Sequence, residues 1–230
     1  MAKDEAHGEF AWLQGGPLLE VGFLVELMTS REEFLSKFVD KLEQTTPKVA
    51  IVSQPTDLNQ SKEEFLNGYP WDPEDENTVY VHSWEALARV RFGEERESLI
   101  KVNQISDTLV HVNIYFWGGH DDGWGQKGVK NNDLLDFVLF LKSWAYFCKF
   151  LVGTIGFGAY APFLFSSQEC WPHPDFDRKH LTAEVMEANS NQFIFVLARK
   201  DSFGVSANTL EDNGYFIVKI DDALKQVYQA

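Results

Sequence analysis

The chain is poor in cysteine, in basic residues and in recognisable catalytic signatures. Cys148 and Cys170 are the only two cysteines in 230 residues, too few for a disulfide framework, which predicts reduced thiols in a reducing compartment. The patterns GxxxxGK[ST], GxSxG, HExxH and CxxC are all missing, so the chain carries none of the compact marks of P-loop, esterase, metalloprotease or dithiol chemistry. No cofactor is implied. GTIGFG, Gly153 to Gly158, resembles a phosphate loop only superficially, because it follows a predicted helix and leads into an apolar segment.

Lysine and arginine number 20 against 35 acids, a formal charge of −15. A body of that charge repels a polyanion, which excludes nucleic acid as a partner and favours a basic protein. The acids crowd into the first half: residues 1–130 hold 23 of them against 12 bases, and residues 131–230 hold 12 against 8. Acidity also keeps proteins soluble, so charge alone names no partner. There is no Ser/Gly/Pro-rich linker, internal repeat or low-complexity tract, which predicts a single compact domain over residues 1–230. Met1 to Glu5 puts acids where a secretory signal has an apolar run, and the expected location is the cytoplasm. Oligomeric state is not encoded in any of this.

Apolar matter is plentiful. Hydrophobic residues make up 44% of the chain and aromatics 14%, with 19 Phe and 7 Trp, enough for a sizeable core and unlike a disordered acidic tail. Leu19 to Met28 reads as a strand. Ser30 with Glu33 opens a helix whose apolar face is Phe34, Leu35, Phe38, Val39 and Leu42, and Lys48 to Ser53 reads as a short buried strand. From Thr78 to Trp117 the period is two, with turns at Gly93–Glu97 and Ser106–Thr108, which predicts an antiparallel meander with one face packed and the other facing water or a partner. His111 falls on the second face and is expected to be exposed.

Leu134 to Val152 is apolar on nearly every side, which predicts a long central buried helix ended by Gly153. Asp136, Lys142 and Lys149 within it argue against a membrane span, and Cys148 is expected as a buried thiol in it rather than a nucleophile. A further helix is expected over Asp177 to Ala188, strands over Gln192 to Lys200 and Tyr215 to Ile220, and a short closing helix capped by Asp221. The fold class is α+β: a largely antiparallel sheet with the long helix and several shorter ones packed against it.

Three clusters are candidates for function. Tyr69, Trp71, Asp72, Glu74, Asp75 and Glu76 combine aromatic anchors with an acidic rim, as partner-binding surfaces do, although a solvated loop has the same composition. The Glu94, Glu95, Glu97 hairpin adds more acid. In the glycine-rich stretch Gly118 to Gly128, His120, Asp121, Asp122 and Trp124 read as acid–base groups or as a turn plugged by a tryptophan. His173, Asp175, Asp177 and His180 fall within eight positions and are the candidate ligands of a divalent metal in a hydrolase, the alternative function, though Asp177 is equally a helix cap. A ligand pocket of Phe and Trp under the long helix is a third possibility.

The acidic α+β pattern and the glycine–tryptophan element Asp122, Gly123, Trp124, Gly125 resemble bacterial immunity proteins that neutralise toxin domains. The resemblance implies a non-catalytic cytosolic inhibitor that occludes the active surface of a basic toxin domain. Its contacts would be Asp72, Glu74, Asp75, Glu76, Glu94, Glu95 and Glu97, with Tyr69, Trp71 and Trp124 as anchors beside Asp121 and Asp122.

Overall fold

The computed structural model describes residues 18–52, 65–66, 84–93, 96–117, 131–145, 149–157, 161–165, 176–203, 210–212, 215–222 and 224–225. Nine strands form one sheet: β1 (Leu18–Glu26), β2 (Val49–Ile51), β3 (Trp84–Phe92), β4 (Arg96–Ser106), β5 (Leu109–Trp117), β6 (Lys149–Phe157), β7 (Phe195–Arg199), β8 (Leu210–Asp212) and β9 (Tyr215–Ile220). Their order across the sheet is β2-β3-β4-β5-β1-β6-β7-β9-β8, with every neighbouring pair antiparallel. The α+β class and the antiparallel meander are as the residue pattern predicts. Phe92 pairs with Arg96, and Gly93, at φ 66°, takes the left-handed conformation that suits a glycine there.

Strand β1 lies at the middle of the sheet, paired with β5 on one side and β6 on the other. Alternation along β1 therefore feeds two interiors. Leu19, Val21, Phe23 and Val25 join the larger core, with Ala86, Val90, Ile100, Val112 and Ile114 of the meander. Two helices cover that face, α1 (Arg31–Leu42) and α2 (Asn131–Ala145). Ser30 caps α1 by accepting the Glu33 amide at 3.3 Å, and the five apolar residues of its predicted face are all buried. Trp144 of α2 is the hub: its ring stacks on Phe38 of α1 at 4.6 Å and on Phe23 of β1 at 5.2 Å.

The long helix is corrected. Helix α2 stops at Ala145, and Lys149–Phe157 is a strand in the sheet rather than the helix's last turns. Both segments are apolar because both are buried, and neighbouring buried elements of different type merge into one hydrophobic run. Gly153 thus sits inside β6, opposite Phe23, and caps no helix. Asp136 and Leu139 are exposed on α2, so that helix is buried on one side only. No helix among the described residues is long and apolar enough to cross a membrane. Cys148 and Cys170 lie outside the described residues.

The opposite face of the sheet is also covered. Leu24, Leu109, Val152, Val196 and Ala198 pack there against Phe163, Leu164, Phe176, Leu181, Met186 and Phe203. Those residues come from a 3₁₀ turn at Ala161–Leu164, another at Arg178–His180, helix α3 (Ala183–Asn189) and their flanks. The helix expected over Asp177 to Ala188 is divided, because Thr182 accepts the Val185 amide and starts α3 afresh. A register shift between Leu24 and Val25 leaves Leu151 without a β1 partner, so Phe150 enters the first core while Leu151 and Val152 both enter the second.

Candidate functional site

On the second face, between β4, β5, β1 and β6, the lining changes from apolar to polar. Gly22 pairs with Asn113 on one side and Thr154 on the other; His111 pairs with Asn103, and Glu20 with Gly156. Glu20, Asn103, His111, Asn113 and Thr154 are all buried, with His111, Asn113 and Thr154 fully so. This corrects the expectation for His111. The alternating pattern reads its face properly, but helices and turns from residues 161–203 cover that face.

Glycine sets the geometry. A Cβ at Gly22 would lie 3.0 Å from both Asn113 Oδ1 and His111 Nε2, so these side chains lean into the space the missing side chain leaves. The Asn113 amide donates to Glu20 Oε2 at 2.6 Å. Thr154 Oγ1 reaches the Gly22 carbonyl at the limit of hydrogen bonding, 3.5 Å. Burial pushes the Glu20 carboxyl up to about 7, with the Asn113 bond pulling the other way. No cation pairs with Glu20 among the described residues. Among the described residues, no donor reaches the buried amide oxygens of Asn103 and Asn113. The arrangement can hold or release one proton near neutrality, and it presents several acceptors to whatever brings donors.

Sequence reading missed Glu20, Asn103, Asn113 and Thr154. The signal for two positions is present in LEVGFLV: a lone acid and a lone glycine two residues apart in an otherwise apolar strand.

Of the predicted metal ligands, Asp177 and His180 are placed and close to each other, and both are occupied in a local cap. The Asp177 amide donates to His180 Nδ1 at 3.0 Å, and Asp177 Oδ1 accepts the Lys179 amide at 2.9 Å. The Asp177 carboxyl is held below its usual range, mainly by the hydrogen bond from the Lys179 side chain. His180 stacks on Phe176 at 5.7 Å. A metal at Nδ1 would have to displace the amide. No group of three or more His, Cys, Asp or Glu suited to a metal occurs among the described residues; His173 and Asp175 lie outside them.

Tyr69, Trp71, Asp72, Glu74, Asp75, Glu76, Glu94, Glu95, His120, Asp121, Asp122 and Trp124 likewise lie outside the described residues, and Glu97 is placed on β4 by its backbone alone. No family model matches the chain, and no curated protein or solved structure matches it.

Proposed function

We propose that the protein is a non-catalytic acidic binding protein that occludes a basic partner, as an immunity-type inhibitor occludes a toxin domain, and that it acts in the cytoplasm. The observation that carries this reading is where the charge lies. Residues 1–130 hold 23 acids against 12 bases, whereas residues 131–230 hold 12 against 8. A charge kept only for solubility has no reason to gather in one half of the chain. Several bases among the described residues are paired with acids: Arg96 with Asp133 at 2.6 Å, Arg178 with Glu26 at 2.8 Å and, on the surface of α1, Lys37 with Glu33 at 2.6 Å. The surplus of acid gathers instead in segments such as 67–83, where Tyr69 and Trp71 precede Asp72, Glu74, Asp75 and Glu76, an aromatic-anchor and charged-rim composition.

Affinity capture from native extract at low salt, with elution by salt, identifies the partner. The partner's purified form is then tested against the quadruple variant Asp72→Lys, Glu74→Lys, Asp75→Lys, Glu76→Lys. The reading expects the association rate to fall at least tenfold at low ionic strength, with the difference shrinking as salt rises. An unchanged association rate removes the segment from the interface.

A further inference from the structure

The second face of the sheet buries a carboxyl beside an apolar cover. Glu20 is 9% exposed and accepts the Asn113 amide at 2.6 Å. Its cross-strand neighbours are Tyr115 on β5 and Gly156 on β6. The 3₁₀ turn Ala161–Leu164 follows β6 in the chain and packs back on β1 and β6. All four of its side chains are buried and apolar, and three of them share the second core with Leu24 and Val152 of those strands. Asn189 of α3 donates to the Leu164 carbonyl at 3.0 Å, and Phe165 stacks on Phe203 at 5.8 Å. These contacts of the turn are neutral ones, and none of them compensates a charge on the strand below.

Charged and titratable groups stand around this face. Lys101 of β4 lies opposite Asn113, half-buried and with β5 between it and Glu20. His111 of β5 is fully buried opposite Leu24, Tyr115 is half-buried, and Arg89 of β3 pairs with Leu99 of β4. Glu26, Lys149 and Arg178 pair among themselves at the far end of β1. Asp177, Lys179 and His180 are joined in a local cap, and Glu184 and Glu187 of α3 are exposed. Desolvation prevails at Glu20 over the Asn113 bond, and its carboxyl rises to about 7. We propose that Glu20 and the Ala161–Leu164 turn form a proton-controlled latch: the turn lies closed on the sheet while Glu20 holds its proton, and loss of that proton favours an open turn that lets water reach the carboxylate. An ionised carboxylate is solvated in the open state and desolvated in the closed one. Each pH unit between the ordinary 4.5 and about 7 therefore favours opening by up to tenfold, while the first core, on the other side of the sheet, stays folded.

The test is amide hydrogen exchange of the full chain at pH 5 and pH 8, with rates corrected for the intrinsic effect of pH, in 0 to 1 M urea. The reporters are the amides of residues 161–165, among them the Phe165 N–H that donates to the Pro162 carbonyl at 3.0 Å, and the reference is the amides of Val112 and Ile114 on β5. Three results are expected: weaker protection at 161–165 than on β5, exchange there that urea does not accelerate, and protection that falls at least tenfold from pH 5 to pH 8. Glu20→Gln, which keeps the shape and the Asn113 bond, should abolish that fall, and Lys101→Met should leave it unchanged. Exchange at 161–165 with the urea dependence of β5 shows that the turn opens only with the whole fold, and overturns the proposal. A fall that persists in Glu20→Gln assigns the titration to another group, His111 first, and a fall altered in Lys101→Met assigns it to the lysine charge; either overturns the proposal as well.

Discussion

Asn113 holds the Glu20 carboxylate by a 2.6 Å hydrogen bond at the middle of the sheet, where β1 and β5 pair, and no cation shares that carboxylate among the described residues. The bond favours the ionised form, yet desolvation outweighs it and the carboxyl rises to about 7 from an ordinary 4.5. A carboxyl whose folded-state value is raised is more readily protonated in the native state than in the unfolded chain. Its contribution is therefore fully present below about 4.5 and is lost as pH rises towards about 7. The loss is bounded at roughly 3 kcal/mol by a shift of this size. Glu20→Gln keeps the shape and the hydrogen bond and removes the titration. Urea unfolding at pH 5 and pH 8 should show the variant gaining on the parent chain as pH rises. Parallel pH profiles for the two would mean that the carboxylate stays solvated in the native state.

Gly22→Ala tests the contact from the other side. The new Cβ would meet Asn113 Oδ1 and His111 Nε2 at 3.0 Å and the Val112 carbonyl at 3.2 Å. Two of these atoms belong to side chains that can give, but the carbonyl belongs to the ladder and cannot. The expected cost is about 1–3 kcal/mol of stability, with displacement of the Asn113 amide from Glu20. Chemical denaturation gives the first quantity, and the Asn113 side-chain signals report the second. A variant as stable as the parent, with those signals unmoved, would show that the space over Gly22 is roomier than the distances state.

The same two strands show what sequence can and cannot deliver. Alternation in Val110, Val112, Ile114 and Phe116 identifies one packed face, and all four residues are in the first core. The alternate set, His111 and Asn113, is polar, and polar residues on a strand ordinarily mark the wet side. Here the covering elements, Ala161–Leu164 and α3, are supplied from more than forty residues downstream, and nothing local in β5 encodes their arrival. Turn positions were legible because Gly93 and Asp107-Thr108 carry their own conformational preferences. Ser30 was legible as a cap for the same reason. The end of α2 was not, since the chain runs from a buried helix into a buried strand without a polar break long enough to register.

Gly153 is the position where that error has a measurable consequence. A glycine ending a helix tolerates alanine at the cost of an αL strain; a glycine in a packed strand answers to its neighbours instead. A Cβ at Gly153 would lie 2.8 Å from Phe150 Cζ and 3.0 Å from Leu141 Cδ2, which places it under α2. Gly153→Ala is expected to lose about 1–3 kcal/mol through overpacking, and Leu141→Ala in the same chain should recover part of the loss by opening room. A double-mutant cycle on unfolding free energies measures the coupling. Strict additivity of the two changes would place Gly153 away from the helix.

Arg178 lies in sequence between the candidate metal ligands Asp177 and His180, and it joins several elements on the second face. Its Nε donates to Glu26 Oε1 at 2.8 Å, its two terminal nitrogens donate to the carbonyls of Leu181 at 3.3 Å and Ser202 at 2.9 Å, and its guanidinium lies 5.5 Å from the centre of the Phe203 ring. The fork ties the end of β1 to the start of α3 and to the turn after β7. A lysine carries the same charge but cannot serve three acceptors in one plane. The side chain is about a third exposed, at 35%, which discounts the charge term, so Arg178→Lys is expected to cost about 1–2 kcal/mol. Lys179→Ala is the control, since Lys179 is 68% exposed and pairs with Asp177 beside it in the chain, and it should leave the urea midpoint unchanged. Raising salt to 0.5 M should close little of the gap between Arg178→Lys and the parent, because the loss is of directional hydrogen bonds to carbonyls. A gap that closes in salt would instead assign the role of Arg178 to its charge on Glu26 alone.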